Sequence, residues 1–400
     1  MGVANGDGMH GADLGLREAV SGTDLEATLQ PLERATMLPP AAFLEDGVLE
    51  WELENIFVGG WICVGHLSAV AEPGAYIARE LAGRSFFVVG GEDGAPRAFH
   101  NVCRHRGARL MEDAEGKVRR RIQCPYHAWS YDLAGNLRAA PHMDAVEGFD
   151  TSCYGLREIR TAVIGGLVLV DFSGEAAAPE HHVGELLPHL DHYSNAALAR
   201  AGIAEYDVAA NWKGIAENYN ECLHCPGVHP ELNALSDYMS GEGLYGAGAW
   251  CGGTMTLNEG AETMGKEGGH LDRPPIASLG EGDLRNILYF ALFPNTLISL
   301  HPDYAMLHTL WPREPGRTEV VCEFFFEPAT IARPDFDPTD AINFWDQTNR
   351  QDWHVCELAQ KGVSSPGYSS GRYSVEEEDV HAFDSMVAAR YAEGLREVVA

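Results

Sequence analysis

The sequence predicts an α+β fold in which a small all-β domain precedes a larger domain built from an antiparallel sheet and long helices. Two observations predict it. Between residues 58 and 172, short strand-like runs alternate with turns such as Gly90-Gly91 and Asp93-Gly94. After Phe172, longer strand-like runs are flanked by helical patterns, which is typical of an α+β domain.

The first half of the chain contains three predicted segments. Residues 1–36 are rich in Gly, Ala, Asp and Thr without clear periodicity, so we predict a flexible tail there. A helical lead-in that packs on the second domain is expected over residues 37–57. The all-β domain spans residues 58–172 and includes strands at Ser85–Val89 and Ala162–Phe172.

The second predicted domain, over residues 173–400, contains four helices and three long strands. The helices are expected at Leu186–Leu198, at Trp212–Leu223, from an Asp337 N-cap followed by Pro338, and at Val375–Leu395. The strands are expected at Leu288–Leu300, Tyr304–Pro312 and Thr318–Glu327, and the turn Glu314-Pro315-Gly316 joins the last two.

Composition excludes several classes of protein. The net charge of −31 argues against binding to nucleic acid or to an anionic membrane surface, since both need a basic face. No run reaches the roughly 18 continuous apolar residues of a membrane span. The nine cysteines are an odd number in a long chain, which does not indicate a disulfide scaffold. We therefore expect a reduced, soluble, cytoplasmic protein.

Two Cys-His pairs form the first motif that carries chemistry. Cys103 and His105 stand as C-x-H, and Cys124 and His127 follow as C-x-x-H after an interval of 18 residues. Thiolates and imidazoles suit iron or zinc. A structural zinc finger usually takes two cysteines from one half and two histidines from the other. Here each half offers one of each, which favours a Rieske-type [2Fe–2S] cluster over the zinc alternative.

Glu221, His224 and His229 form the second motif. Glu221 and His224 are three residues apart, so we predict that they share a helix face. Pro226-Gly227 is expected to end that helix and to return His229 towards His224. Two imidazoles and one carboxylate with open positions form the facial triad of non-haem Fe(II) oxygenases.

The triad's carboxylate must come from a distant segment if Glu221 acts as a bridge. Asp352 lies at the centre of the inward stripe of the helix that starts near Asp337, where an unpaired carboxylate is costly and a metal removes the cost. Asp346 is the second choice. Cys222 and Cys225 are expected to be small apolar packing residues. Asn218, three residues before Glu221, either faces the iron or packs.

Both motifs resemble those of the ring-hydroxylating oxygenase alpha-subunit family of Rieske non-haem iron oxygenases, in the same order, over roughly residues 38–395. The resemblance implies a helix-grip catalytic domain. It places Cys103 and Cys124 on one iron of the cluster, and His105 and His127 on the other. Fe(2+) would be bound by His224, His229 and Asp352. Glu221 stands where better-known aromatic dioxygenases have Asp. This form of the motif resembles the choline, glycine betaine and carnitine oxygenase branch.

This resemblance also implies a function. The chain would be a terminal oxygenase that uses O2 and electrons from NAD(P)H, delivered by a flavin/iron–sulfur reductase or a ferredoxin. It would hydroxylate or oxidatively demethylate a small organic amine or quaternary ammonium compound; the alternative is hydroxylation of an aromatic ring. A homotrimer is implied, in which Glu221 links a cluster histidine of one chain to His224 of the next.

Two residue groups have open interpretations. Seven basic residues crowd into the cluster segment and form either a docking patch for the electron donor or ordinary solvated charges: Arg104, Arg106, Arg109, Lys117, Arg119, Arg120 and Arg121. Eight aromatic residues form either a cation–π cage or core: Trp212, Tyr219, Trp250, Tyr289, Phe290, Phe293, Tyr304 and Trp311.

Overall fold

The computed structural model describes residues 11–269 and 272–397, and its two large sheets fall on either side of residue 172. The strands of the first half are β1 (Trp61–His66), β2 (Ala75–Leu81), β3 (Arg84–Gly90), β4 (Pro96–His100), β5 (Glu115–Lys117), β6 (Ile122–Gln123), β7 (Ser130–Tyr131), β8 (Leu137–Ala139), β9 (Glu158–Ile164) and β10 (Leu167–Asp171). Seven of them form an antiparallel sheet in the order β1-β10-β9-β4-β3-β2-β5, and β6, β7 and β8 form a small separate sheet.

Strand β3 shows how the first sheet divides its side chains between two cores. Phe86 and Val88 pack into the large core that also holds much of the second domain. Phe87 and Val89, which alternate with them, pack into a separate core that contains Cys103 and Cys124. The alternation of side chains along β3 therefore connects the core around Cys103 and Cys124 with the large core.

The second sheet is also antiparallel and has seven strands in the order β11-β17-β16-β15-β14-β13-β12. Its strands are β11 (Ala199–Val208), β12 (Glu242–Gly243), β13 (Trp250–Thr256), β14 (Asn286–Leu292), β15 (Thr296–Leu300), β16 (Ala305–Glu314) and β17 (Arg317–Phe326). The predicted turn at Pro315-Gly316 joins β16 and β17. The fold class predicted from the sequence, an all-β domain followed by an α+β domain, is confirmed.

Two predicted strands are each a hairpin. The run Ala162–Phe172 divides into β9 and β10 because Gly165 and Gly166, both at positive φ, make a tight turn between them. The run Leu288–Leu300 divides into β14 and β15 because Phe293, Pro294 and Asn295 turn the chain, and Leu288 then pairs with Leu300.

The helices are α1 (Gly11–Ala19), α2 (Gly22–Thr28), α3 (Ala41–Leu44), α4 (Asp46–Glu52), α5 (Pro179–Val183), α6 (Leu186–His192), α7 (Trp212–Tyr219), α8 (Cys225–Val228), α9 (Pro230–Leu235), α10 (Pro328–Ile331), α11 (Thr339–Val363) and α12 (Glu378–Glu397). Within the described residues, none of the helices combines the length and apolar character that crossing a bilayer requires.

The N-terminal segment differs from the flexible tail expected over residues 1–36. Residues 1–10 lie outside the described residues, but α1 and α2 occupy residues 11–28. Leu16, Val20 and Leu25 are 1–2% exposed and join the large core, and α1 and α2 pack on α4 and α12 respectively. The apolar side chains are few, so the helical pattern is weak in the sequence, yet their burial is sufficient to order the segment.

A buried ion pair fixes the start of α7. Lys213 and Glu52 are both 0% exposed, and the ammonium lies 2.5 Å from the carboxylate. The same carboxylate accepts a hydrogen bond from the Trp212 indole at 2.8 Å and another from the Tyr391 hydroxyl. Glu52 therefore holds α4, α7 and α12 together directly upstream of the second motif.

Candidate active site and metal centres

Two loops with the same backbone hydrogen bonds present the first four candidate ligands. In one loop the N–H of Cys103 donates to Ala108 O (2.8 Å) and the N–H of Gly107 donates to Cys103 O (3.1 Å). In the other, Cys124 N–H donates to Trp129 O (2.8 Å) and Ala128 N–H donates to Cys124 O (3.2 Å). Gly107 and Ala128 both have positive φ, of 73° and 57°. The two loops are therefore matched turns.

The four side chains on these loops meet in one place. Cys103 and Cys124 are each 2% exposed, and the rings of His105 and His127 lie 4.7 Å apart between centroids. Burial raises the pKa of the Cys103 thiol, and Cys124 beside it acts in the same direction. Two buried thiolates need a cation nearby. The donor set and its environment fit the iron–sulfur cluster that the sequence predicts.

Two aromatic residues support these loops, and the sequence analysis did not single them out. The Tyr131 hydroxyl lies 3.3 Å from Cys103 Sγ and accepts a hydrogen bond from the Arg104 N–H at 3.0 Å. The buried Trp129 ring stacks on His105 at 4.8 Å. The only available signal was their nearness to Cys124 in the sequence, and that does not distinguish them from core aromatic residues.

His224, His229 and Asp352 converge in the second domain. Their candidate ligand atoms all lie within 4.8 Å of one another. Asp352 Oδ1 is 2.7 Å from His229 Nε2 and 3.1 Å from His224 Nε2, and the two Nε2 atoms are 3.2 Å apart. Two imidazoles and one carboxylate on one side of an open cavity fit a mononuclear iron with free positions.

The local structure around His224 differs from the predicted single helix. Helix α7 ends at Tyr219, so Glu221 and His224 lie in a turn and not on a helix face. The residues still meet, because Glu221 Oε1 contacts His224 Nδ1. Pro226 does not end a helix but occupies the first turn of α8, after which His229 follows directly.

Each histidine has its other ring nitrogen occupied. Glu221 accepts from His224 Nδ1, and Gln351 Oε1 lies 2.8 Å from His229 Nδ1. These acceptors favour the tautomers that leave both Nε2 atoms free for a metal. Burial lowers the pKa of His224, but its contacts with Asp352 and Glu221 outweigh this and raise it to about 9. Positive charge is therefore stabilised at this position.

The two candidate aspartates on α11 have different partners. Asp352 faces both histidines, whereas Asp346 accepts from the Tyr206 hydroxyl at 3.0 Å and from Arg350 Nε at 2.9 Å. Asp346 is thus engaged away from the triad. Asn218 lies on the triad side, with Nδ2 3.4 Å from His224 Nε2. The structure brings the preferred aspartate to the triad and leaves the second choice elsewhere.

Cys222 and Cys225 form a disulfide, with Cα atoms 5.0 Å apart, which the sequence did not predict. A C-x-x-C spacing places two thiols on neighbouring turns of a compact loop, where they can pair without rearrangement. The other seven cysteines are free. The predicted packing of these two residues is confirmed, because Cys225 is buried in the large core and Cys222 packs against it.

A cavity of about 490 Å³ opens beside the three converging side chains, and we call it the triad cavity. His224, His229 and Asp352 are part of its lining, together with Tyr289 and Trp345. Of the eight aromatic residues considered for a cage, Tyr219 and Tyr289 contribute to the lining. Trp212, Tyr304 and Trp311 are at most 1% exposed and belong to the core.

The basic residues of the cluster segment have mixed surroundings. Lys117 pairs with Glu72, and Arg109 lies 3.7 Å from Glu80. The Arg106 guanidinium stacks over the exposed Tyr126 ring at 5.3 Å. Three consecutive arginines are exposed to solvent: Arg119, Arg120 and Arg121.

Comparison with known proteins identifies both halves of the chain. Residues 60–150 match the Rieske [2Fe-2S] domain family, and residues 196–393 match the ring hydroxylating alpha subunit (catalytic domain) family. The glycine betaine monooxygenase oxygenase subunit of Chromohalobacter salexigens is 30% identical over 365 residues, which cover 84% of this chain and 81% of that protein. Choline monooxygenase of Arabidopsis thaliana is 29% identical over 376 residues, covering 89% and 83%.

Solved structures agree with these relatives. The quaternary ammonium Rieske monooxygenase CntA in complex with L-carnitine superposes with a TM-score of 0.75 at 26% identity, covering 89% of this chain and 96% of that one. A naphthalene 1,2-dioxygenase from Rhodococcus has the same fold, with a TM-score of 0.76 at 19% identity and coverage of 95% and 98%. The chain belongs to the ring-hydroxylating alpha-subunit family and is a terminal Rieske oxygenase, whose two domains imply a [2Fe–2S] cluster and a mononuclear iron.

Proposed function

We propose that this chain is the oxygenase component of a monooxygenase that hydroxylates or oxidatively demethylates a small quaternary ammonium compound. One oxygen atom of O2 enters a C–H bond of the substrate and the other leaves as water, with two electrons and two protons supplied. The observation that carries the proposal is the convergence of His224, His229 and Asp352 on a cavity lined by carboxylates and aromatic rings. The relatives act on glycine betaine, carnitine and choline, by their names.

We assign the residues as follows. Cys103, His105, Cys124 and His127 would hold the cluster, and His224, His229 and Asp352 would hold Fe(2+), which supplies O2 binding beside the substrate. Glu221 and Gln351 orient the two imidazoles through their Nδ1 atoms. Asn218 borders the same cavity beside His224. We also propose the domain limits 37–57, 58–172 and 173–400.

Electrons would come from NAD(P)H through a separate flavin/iron–sulfur reductase or a ferredoxin. We propose that the exposed basic residues around Arg119 and Arg106 dock this acidic partner, since charge complementarity speeds the encounter. In a homotrimer, Glu221 would connect His224 with a cluster histidine of the neighbouring chain. His105 is exposed, as such a contact requires.

The test combines metal analysis with turnover. The holoenzyme should contain about three iron atoms per chain, two in the cluster and one at the triad. Asp352→Ala should lose about one of them, keep the Rieske EPR signal of the reduced cluster, and lose turnover. Asp346→Asn is the matched control on the same helix, because Asp346 has its partners elsewhere.

Turnover is measured with the reductase as O2 consumption and product formation for choline, glycine betaine, L-carnitine and naphthalene. Coupled O2 consumption with at least one trimethylammonium compound, and formaldehyde or another oxidised product, supports the proposal. Coupled product from naphthalene alone would replace it with aromatic hydroxylation. Equal iron loss in Asp346→Asn and Asp352→Ala would overturn the assignment of Asp352.

A further inference from the structure

The lining of the triad cavity is strongly acidic. It includes six carboxylates, Glu221, Glu242, Asp352, Glu376, Glu378 and Asp379, and among its described residues it contains no Lys or Arg. An Fe(2+) ion at the triad would balance two of these charges, those of Asp352 and the adjoining Glu221. Four carboxylates of the six then remain without a balancing positive charge.

Asp379 is the most enclosed of these four. It lies in the first turn of α12, and its Oδ1 atom is buried without a hydrogen-bond partner. None of the ion pairs between described residues includes Asp379, and the charge of Glu378 acts on it unfavourably. Burial raises the pKa of Asp379 to about 6, partly offset by the Gly252 N–H, so the group is ionised at neutral pH but poorly compensated. Its neighbour Glu378 is already engaged with the Tyr245 hydroxyl.

Aromatic faces border the same cavity. The rings of Tyr289 and Trp345 lie 6.5 Å apart at an interplanar angle of 67°. The Trp345 indole donates to the Tyr304 hydroxyl at 2.6 Å, but the buried Tyr289 hydroxyl has no partner. Aromatic rings in the lining suit a trimethylammonium group, and a phenol hydroxyl without a partner suits a neutral polar group of a ligand.

We propose that the triad cavity selects substrates of net positive charge, a trimethylammonium group joined to a neutral polar end such as a hydroxyl, and rejects zwitterions that carry a carboxylate. Asp379 is the specificity-determining residue. A substrate carboxylate would enter beside four uncompensated acids with no Lys or Arg to receive it, whereas a cation removes part of their mutual repulsion. This inference rests on the proposed function and narrows its substrate class.

Binding can be measured without turnover. Isothermal titration of the iron-loaded full-length protein under anaerobic conditions would use three probes of similar size. Choline is cationic, glycine betaine is zwitterionic, and 3,3-dimethylbutan-1-ol is the neutral carbon isostere of choline. We expect choline to bind at least about tenfold more tightly than either of the others.

Two variants separate the role of Asp379 from net charge. Asp379→Asn should weaken choline binding about tenfold and leave the neutral isostere unchanged, because it removes a charge and little volume. Glu393→Gln, on the same helix but outside the cavity, is the matched control and should change neither. If Asp379→Asn fails to fold, Glu242→Gln at the exposed rim should reduce the preference for choline in the same direction.

Each result decides the question. Glycine betaine binding as tightly as choline would overturn the inference and leave the proposed function standing. Equal affinity for choline and its neutral isostere would also overturn it, as would equal loss of choline binding in Asp379→Asn and Glu393→Gln. Binding of 3,3-dimethylbutan-1-ol but of neither trimethylammonium compound would overturn the proposed function as well.

Discussion

The buried pair Lys213–Glu52 gives a prediction that can be worked from the structure. Both side chains are fully buried, and Glu52 is also the acceptor for Trp212 and Tyr391. Lys213→Met keeps the apolar stem but leaves a buried carboxylate without its counter-charge. Removing one member of a buried pair typically costs about 3–5 kcal/mol. We expect a loss of about 3 kcal/mol in the free energy of unfolding, because two hydrogen bonds to Glu52 remain.

The double variant Glu52→Gln with Lys213→Met tests the reasoning. It removes both charges and keeps an acceptor for Trp212 and Tyr391, so it should be more stable than Lys213→Met alone by at least about 1.5 kcal/mol. Urea unfolding followed by far-UV circular dichroism measures both values. Lys361→Met, at an exposed position near the end of α11, is the surface control.

A loss within about 1 kcal/mol of the Lys361→Met control, or a double variant as unstable as Lys213→Met, would refute the idea that the uncompensated charge is the cause.

Two further predictions concern carboxylates near the second motif. Glu221→Ala should keep both metals and the Rieske EPR signal but lose O2 consumption coupled to product, because the contact with His224 Nδ1 is lost; full coupled activity would contradict this. Asp384→Asn should raise the free energy of unfolding at pH 8 by about 1–3 kcal/mol. Burial raises the pKa of Asp384 from 3.8 to about 6, so folding favours the protonated form. The stability that this protonation gives is fully present below about pH 4 and is lost as pH rises through 6. A variant no more stable than the native chain at pH 8 would contradict the shift.

The candidate site residues could be predicted from the sequence because their spacing follows local rules. The spacing of Cys103, His105, Cys124 and His127 is visible without any structure, and helical periodicity was enough to prefer Asp352. What separates Asp352 from Asp346 is that Asp346 accepts from the Tyr206 hydroxyl, a contact that depends on tertiary packing, besides pairing with Arg350 on the same helix. The periodicity of α11 gives no information about a contact with a residue on β11.

The features that the sequence did not reveal depend on context of that kind. Gln351 on α11 contacts His229, which lies 122 residues earlier in the chain, and a single glutamine has no recognisable sequence pattern. The disulfide between Cys222 and Cys225 depends on a turn that replaced the expected helix. Helices α1 and α2 form because a few apolar residues find a partner surface on α4 and α12, which lie far away in sequence.

In the matched turns at Cys103 and Cys124, the backbone and the side chains have different roles. Each turn closes with the same pair of backbone hydrogen bonds, although its histidine follows the cysteine at a different interval. The main-chain hydrogen bonds thus position the four candidate ligands, and the side chains determine only whether each donor atom is sulfur or nitrogen. The two backbone turns are equivalent. The difference between the sulfur and nitrogen donors of the candidate cluster site therefore comes from the side chains alone.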